Sequence, residues 1–393
     1  MKLSSSSLRF AQSTLLSQLL MVLSTIFSIL LYSPEAVGMY GAGLAIVYSA
    51  GYFAGLRIDA LMLSNPEMQE RFFQLSCWVQ RYQSVFVFFI AYMYFRDIVM
   101  TVLVTALSHF FSLTLLLIPY ALQHQQKKRV ATSRVQGSFL LILGQLVCSF
   151  NFYGLVLGDL IGKIVHFIRL KKKSPPVTLT RQEAFSLLQR FKKPLFYMNV
   201  SSLGTALSMY APILILTLSV GPEKGAVFFL VQRIAGFTEQ LIGYTSYQLV
   251  ISDTLENTVL KPFVFYKKQV LNLVFYTLIL LVSTIIGLLF ILQFPILREW
   301  DRVLPLFLLY IPLCLGMTWS IPLRTLLMMK GQWTTICRGE LGRGLAISVI
   351  CIIAVVLFPM SYEQVICLGG ALFTACCLVY YIHQFIQLVG QPS

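Results

Sequence analysis

Long apolar runs follow one another along almost the whole chain, parted by short polar connections, and this alternation dictates the environment. Runs at 8–32, 38–56, 74–95, 98–122, 134–150 and 152–169 precede runs at 196–218, 225–250, 268–292, 303–325, 341–358 and 364–388. Most approach the ~20 residues that carry an α-helix across a ~30 Å hydrocarbon layer. In lipid, a helix satisfies its own backbone hydrogen bonds, so helices are the expected element. Val85 to Phe95 is too short to cross, so the third helix must reach back past Arg81 toward Phe73. Residues Met1 to Tyr32 lack a small-residue cleavage site and read as a retained first helix. Only 11% of the residues are charged against 57% hydrophobic, too few to clothe a soluble domain. The expectation is an all-α integral membrane protein of about twelve transmembrane helices.

Charge sets the orientation. Thirty Lys and Arg against fifteen Asp and Glu give a net charge of +15, which in a soluble protein would suggest nucleic acid. Here the basic residues gather in alternate connections. About 22 fall with Lys2, Arg57, Arg71, Lys127–Arg129, Arg169–Lys173, Arg190–Lys193, Lys261–Lys268 and Arg324–Arg343, and four (Arg96, Lys224, Arg298, Arg302) fall opposite. Basic connections stay cytoplasmic, so both termini are expected there, with no nucleic acid as partner. The eight cysteines lie mostly in apolar runs without metal-ligand spacing and read as small hydrophobes.

The longest polar stretch, Leu170 to Lys193, divides the chain into a bundle at 1–170, a basic linker at 171–195 and a second bundle at 196–393. Pro175 and Pro176 interrupt any helix, after which Thr180 and Glu183 can cap a surface segment. Attraction to anionic lipid suffices to explain the Lys171–Lys173 cluster. The halves also echo each other. Ser33-Pro34-Glu35-Ala36-Val37-Gly38-Met39-Tyr40 corresponds to Gly221-Pro222-Glu223-Lys224-Gly225-Ala226-Val227-Phe228, and more weakly Arg129–Arg134 to Trp333–Arg338. An even number of helices separates each pair, the pattern of parallel repeats about an axis along the membrane normal.

These residues carry a family resemblance. Tyr32 through Tyr40, followed by Gly55-Leu56-Arg57-Ile58-Asp59-Ala60 and Pro66, resembles the opening of Wzx-type polysaccharide flippases of the multidrug/oligosaccharidyl-lipid/polysaccharide exporter superfamily. Gly221-Pro222-Glu223 with Gln232-Arg233 is similar to that family's entry into helix eight; Glu223-Lys224-Gly225 and Phe228 depart from its longer spacer and Tyr. The resemblance implies a MATE-like fold with a V-shaped central cavity between two six-helix bundles. It further implies export of undecaprenyl-diphosphate-linked oligosaccharide from cytoplasmic to periplasmic leaflet of the bacterial inner membrane, in O-antigen or capsule assembly. Polymerase and chain-length proteins of that pathway are then expected partners beside membrane lipids. A proton or sodium gradient would drive the cycle, with no cofactor.

Such a cavity must be wet and cationic. A charge at the centre of a spanning helix costs about 2.5–3.5 kcal/mol, so each one needs a cavity or a partner. Arg233, placed near the bilayer midplane, is the first candidate for the diphosphate or acidic sugars; pinning helices to a carboxylate is its alternative. Arg57 would end helix two where substrate arrives, or serve as an interface anchor or a partner of Asp59. Arg9 and Arg81 could widen a basic vestibule or simply snorkel. Asp159 and Lys163 share a helix face at i, i+4, where they either neutralise each other or offer a substrate cation and an ion-coupling carboxylate. Glu239 and His109 are further coupling candidates, although a lone His often just bonds a neighbouring helix. Gly51/Gly55 and Gly158/Gly162 offer small faces for close crossing, and Pro305, Pro312 and Pro322 interrupt helix ten.

Two other function classes remain. A membrane polymerase or ligase acting on the same carrier should carry a large periplasmic loop and a nucleophile–base pairing, and neither is visible. A multidrug exporter of the same fold should line its cavity with acids, whereas these intramembrane charges lean basic.

Overall fold

The computed structural model describes residues 5–58, 61, 66–123, 126–171, 178–236, 282, 285, 286, 289, 300, 302–329, 331–358 and 362–390. They form two compact units, 1–202 and 203–393. In the first lie α1 (Ser5–Leu31), α2 (Pro34–Tyr52), α3 (Gln69–Phe95), α4 (Ile98–Gln123), α5 (Lys127–Val147), α6 (Gly154–Lys171) and the short α7 (Arg181–Arg190). The boundary falls inside α8 (Lys192–Ser219), and α9 (222–236), α10 (Val303–Met329), α11 (Trp333–Leu357) and α12 (Tyr362–Gly390) belong to the second. No strand occurs among the described residues. Among the described residues, seven helices are long and apolar enough to cross a bilayer, which makes this a multi-pass membrane protein. Ten of the twelve expected runs have a helical counterpart and 225–250 has one as far as residue 236; the rest of that run, and 268–292 apart from isolated positions, lie outside the described residues.

Local chemistry moves several boundaries. Ser33 caps α2, its hydroxyl accepting from the Ala36 N–H, and Pro34 fills the first helical position where a missing N–H costs nothing. Pro222-Glu223 opens α9 in the same way after Gly221, whose φ of 109° is a glycine conformation. The paired Pro-Glu segments are thus helix starts. α5 and α11 begin at Lys127 and Trp333, well before the expected 134 and 341, because a helix continues through polar residues once its apolar part is anchored. Helix α10 runs unbroken through Pro305, Pro312 and Pro322, correcting the expected interruption. The expected cap forms: Thr180 and Glu183 close a reciprocal capping box at the start of α7.

Within the first unit, α1 is tied to α5 by polar contacts that lipid makes costly to break. Ser17 and Ser138 hydroxyls lie 2.7 Å apart, Ser24 donates to Gln145 Oε1 at 2.7 Å, and the Tyr32 hydroxyl donates to the Gln145 carbonyl at 2.7 Å. Gly158 and Gly162 bring α6 against the α5 backbone, as the small-residue spacing suggested. Gly51 meets Phe111 of α4, but Gly55 belongs to a turn and not to that helix face.

Candidate functional site

The chain leaves α2 at Tyr52 and turns through Gly55, Leu56 and Arg57 with φ of 55°, 56° and 57°. Two consecutive side-chain-bearing residues in the left-handed region cost on the order of 1–2 kcal/mol each, so the surroundings must hold them there. They do. A Cβ on Gly55 would stand 2.7 Å from Ser76 Cβ of α3, the Leu56 carbonyl accepts from Asn199 Nδ2 at 2.9 Å, and Arg57 Nη1 donates to Ser202 Oγ at 3.0 Å. Arg57 therefore closes the span that opens at Pro34, on a clamped turn braced by α8. Its proposed neighbour Asp59 lies outside the described residues.

On α6, Asp159 is 1% exposed; its Oδ2 accepts from the Tyr40 hydroxyl of α2 at 3.1 Å, and its Oδ1 has no hydrogen-bond partner. Lys163 places Nζ 5.0 Å from the centre of the Phe111 ring. The i, i+4 spacing thus buries Asp159 and leaves Lys163 half-buried, each against a side chain of another helix. His109 of α4 lies 2.8 Å from Ser84 Oγ of α3, an interhelical contact. Arg81 is exposed on α3, and Arg9 lies in α1.

In the second unit, Arg233 is half-buried on α9, its guanidinium 5.7 Å from the Phe229 ring, while the preceding Gln232 bonds the Met209 carbonyl of α8. Because α9 opens at Pro222, Arg233 stands eleven residues in, about 16 Å along the axis and roughly half a hydrocarbon layer. Glu239 lies outside the described residues.

One constellation escaped the sequence reading. Glu340 and Arg343, fully sealed at 0% and 3% exposure, meet through Oε2 and Nη2 at 2.6 Å on α11. Arg324 of α10 approaches Glu340 Oε1 at 3.2 Å, where the Tyr381 hydroxyl of α12 also donates at 2.8 Å. Thr205 of α8 donates to Oε2 at 2.9 Å, and Arg343 Nε donates to Ser208 Oγ at 3.2 Å. Gly204 and Gly344 press the α8 and α11 backbones together at this level. Arg324 and Arg343 are therefore not connection residues, as the charge count had them, but members of an interior network joining four helices. Starting α11 at Trp333 would have revealed them: Glu340 and Arg343 then fall seven and ten residues inside a helix, one turn apart. No metal-ligating group of three or more His, Cys, Asp or Glu occurs among the described residues.

No protein-family model matches the sequence, and no curated relative does. Solved structures do match, over nearly the whole chain. An inward-facing MATE family multidrug resistance transporter of the MOP superfamily aligns with a TM-score of 0.64 at 13% identity, covering 96% of both chains. The lipid II flippase MurJ, in an inward closed conformation, aligns with a TM-score of 0.68 at 14% identity over 96% of this chain and 87% of its own. A MOP superfamily transporter from Pyrococcus furiosus aligns at 0.59 with 12% identity over 98% and 95%. The chain has the MOP transporter fold. At these identities the MOP likeness speaks for architecture, and the charged groups above must carry any argument about cargo.

Proposed function

We propose that this protein is a flippase that moves an undecaprenyl-diphosphate-linked oligosaccharide, the repeat unit of O-antigen or a similar surface glycan, from the cytoplasmic to the periplasmic leaflet. In this reading twelve helices form two six-helix bundles with both termini cytoplasmic, in the bacterial inner membrane, and the chain transports without breaking a bond. The observation that carries it is a half-buried guanidinium well inside a helix of a MOP fold: Arg233, about 16 Å along α9 and bordered by Phe229. An arginine at that depth suits an anionic diphosphate, and the neighbouring ring suits a sugar. Arg57, on its clamped turn, is the corresponding first contact in the other unit, with Arg81, Arg9 and Lys163 as further basic groups. Asp159, with one oxygen bonded to Tyr40 and the other unsatisfied, is the proton or sodium carrier of choice. His109 and Glu239 are weaker coupling candidates, and polymerase and chain-length proteins of the pathway are proposed partners.

A multidrug exporter is the second reading, favoured by the MATE multidrug transporter among the matching structures. Deleting the gene in a bacterium of known surface glycan separates the two. Loss of the glycan, with carrier-linked units accumulating on the cytoplasmic side, supports the flippase. Intact glycan with altered drug sensitivity overturns it. Arg233→Ala should fail to restore the glycan while the protein still reaches the membrane.

A further inference from the structure

The first unit carries a second surface feature that substrate passage leaves unused. Helix α7 is held across the N-terminal end of α3: Thr178, two residues before its cap, donates through N–H and hydroxyl to Gln74 Oε1 at 3.4 and 3.3 Å, and Phe191 meets Phe72 edge-on at 5.1 Å. Ala184 and Leu187 are its buried side. Between the two helices lies an open cleft of about 530 Å³, lined by Trp78 of α3 and by Arg181, Gln182, Phe185, Ser186 and Gln189 of α7.

The rim is cationic. Arg181 lines the cleft, and Arg71, one turn below Gln74 and seven residues before Trp78, shares the Trp78 face of α3. Arg71 also lies close enough to Glu183 to help its Thr180 hydrogen bonds hold that carboxyl below its ordinary range. Above the cleft, past the exposed Arg81, the same face continues as an exposed, mostly apolar track, Tyr82, Val85, Phe86, Phe89 and Met93, with Phe86 and Met93 at 73% and 79% exposure. The Trp78 and Tyr82 rings are 5.0 Å apart. From Trp78 to Phe89 the helix rises about 16 Å, close to the depth of one hydrocarbon leaflet.

Charge at one end, an interfacial tryptophan next, and one leaflet of apolar surface beyond it are the successive parts of a phospholipid. We propose that the α3–α7 cleft binds an acidic glycerophospholipid, its phosphate on Arg71 and Arg181 and an acyl chain along the Tyr82–Met93 track. The site differs from a generally basic surface because headgroup and chain are recognised on one helix face. It also holds α7 in the interfacial plane, where the chain passes from the first unit toward α8.

Full-length protein with Trp300→Phe, Trp319→Phe and Trp333→Phe retains Trp78 as its sole indole among four. In phosphatidylcholine vesicles, dibrominated phosphatidylglycerol should quench Trp78 at a lower mole fraction than dibrominated phosphatidylcholine, by about fivefold per contributing arginine. Adding Arg71→Gln and Arg181→Gln should bring the ratio toward one. Equal quenching by the two lipids overturns the proposal, as does a preference that survives both arginine changes. Relief of quenching by excess undecaprenyl phosphate but not by unbrominated phosphatidylglycerol also overturns it, assigning the track to a polyprenyl chain. Native mass spectrometry of wild-type protein and the Arg71→Gln/Arg181→Gln variant reads the same site without altering any tryptophan. There, phosphatidylglycerol carried by the wild type and lost from the variant supports it, and equal retention overturns it.

Discussion

Glu340 and Arg343 stand one helical turn apart on α11 and share a 2.6 Å ion pair with almost no access to solvent. Both ions have shed water, so the pair holds only while its other partners remain: Arg324, Tyr381 and Thr205 on the carboxylate, Ser208 on the guanidinium. Removing one member of such a pair leaves an uncompensated buried charge, costing about 3–5 kcal/mol. Glu340→Ala should therefore lower the apparent melting temperature of the detergent-purified protein sharply, and more than Tyr381→Phe, which deletes only a neutral hydroxyl shared between Glu340 Oε1 and the Ile336 carbonyl, worth about 1 kcal/mol. Equal melting temperatures for Glu340→Ala and wild type would rule out a structural role for the network.

Asp159 offers a different test, because its environment is only half satisfied. If it carries the coupling cation, Asp159→Asn should keep the fold, since an amide can still accept from Tyr40, yet lose gradient-driven transport by tenfold or more, the effect of about 1.4 kcal/mol. The measurement is surface-glycan level in cells, with and without an uncoupler. A variant that complements fully and still responds to the uncoupler removes Asp159 from the mechanism.

The spans were legible because hydropathy over ~20 residues is a coarse signal that needs no partner. The capping box at Thr180 and Glu183 was legible because it is purely local. Tertiary partners were not. Arg343 stands at the edge of the 341–358 run and counts there with the basic connection, and Glu340 falls just outside that run, whereas α11 begins at Trp333 and holds both. The left-handed turn at Arg57 was hidden for a related reason: only Gly55 hints at it, and the Asn199 and Ser202 contacts that hold Leu56 and Arg57 lie more than 140 residues away in the chain. The sequence expectation counts Arg233 eight residues past Gly225; α9 opens at Pro222, so the residue stands eleven residues into its helix.

The Arg57 turn makes a testable claim about strain. With φ at 55° and Ser76 close by, Gly55→Ala adds a Cβ where both the backbone and the neighbour resist it. The expected loss is about 1–2 kcal/mol from conformation alone. Leu56→Gly, by contrast, relieves a left-handed residue and should be tolerated. A thermal-shift comparison of the two variants reads this directly, and Gly55→Ala matching wild type would show that the turn is not clamped.

Acid sensitivity has a defined origin at the opposite ends of α3 and α6. Asp97 accepts from the Tyr153 hydroxyl at 2.6 Å and from the Val99 and Met100 N–H groups that begin α4. The tyrosine hydrogen bond, backed by those N–H groups, holds the Asp97 carboxyl below its ordinary 3.8, and the same contact raises Tyr153 above 10.0. A depressed carboxyl stabilises the fold above its unfolded value and loses that contribution as the pH falls through the folded value. A raised phenol stabilises below 10.0 and loses its contribution as the pH climbs through its folded value. The tie is therefore intact across the neutral range and fails at both extremes. Tyr153→Phe should flatten the melting-temperature profile on both the acid and the alkaline side while leaving the Asp97 cap on α4 in place. Asp97→Asn should reduce the acid limb further by weakening that cap as well. A Tyr153→Phe profile that parallels wild type from pH 3 to 11 would show that the two side chains do not titrate against each other.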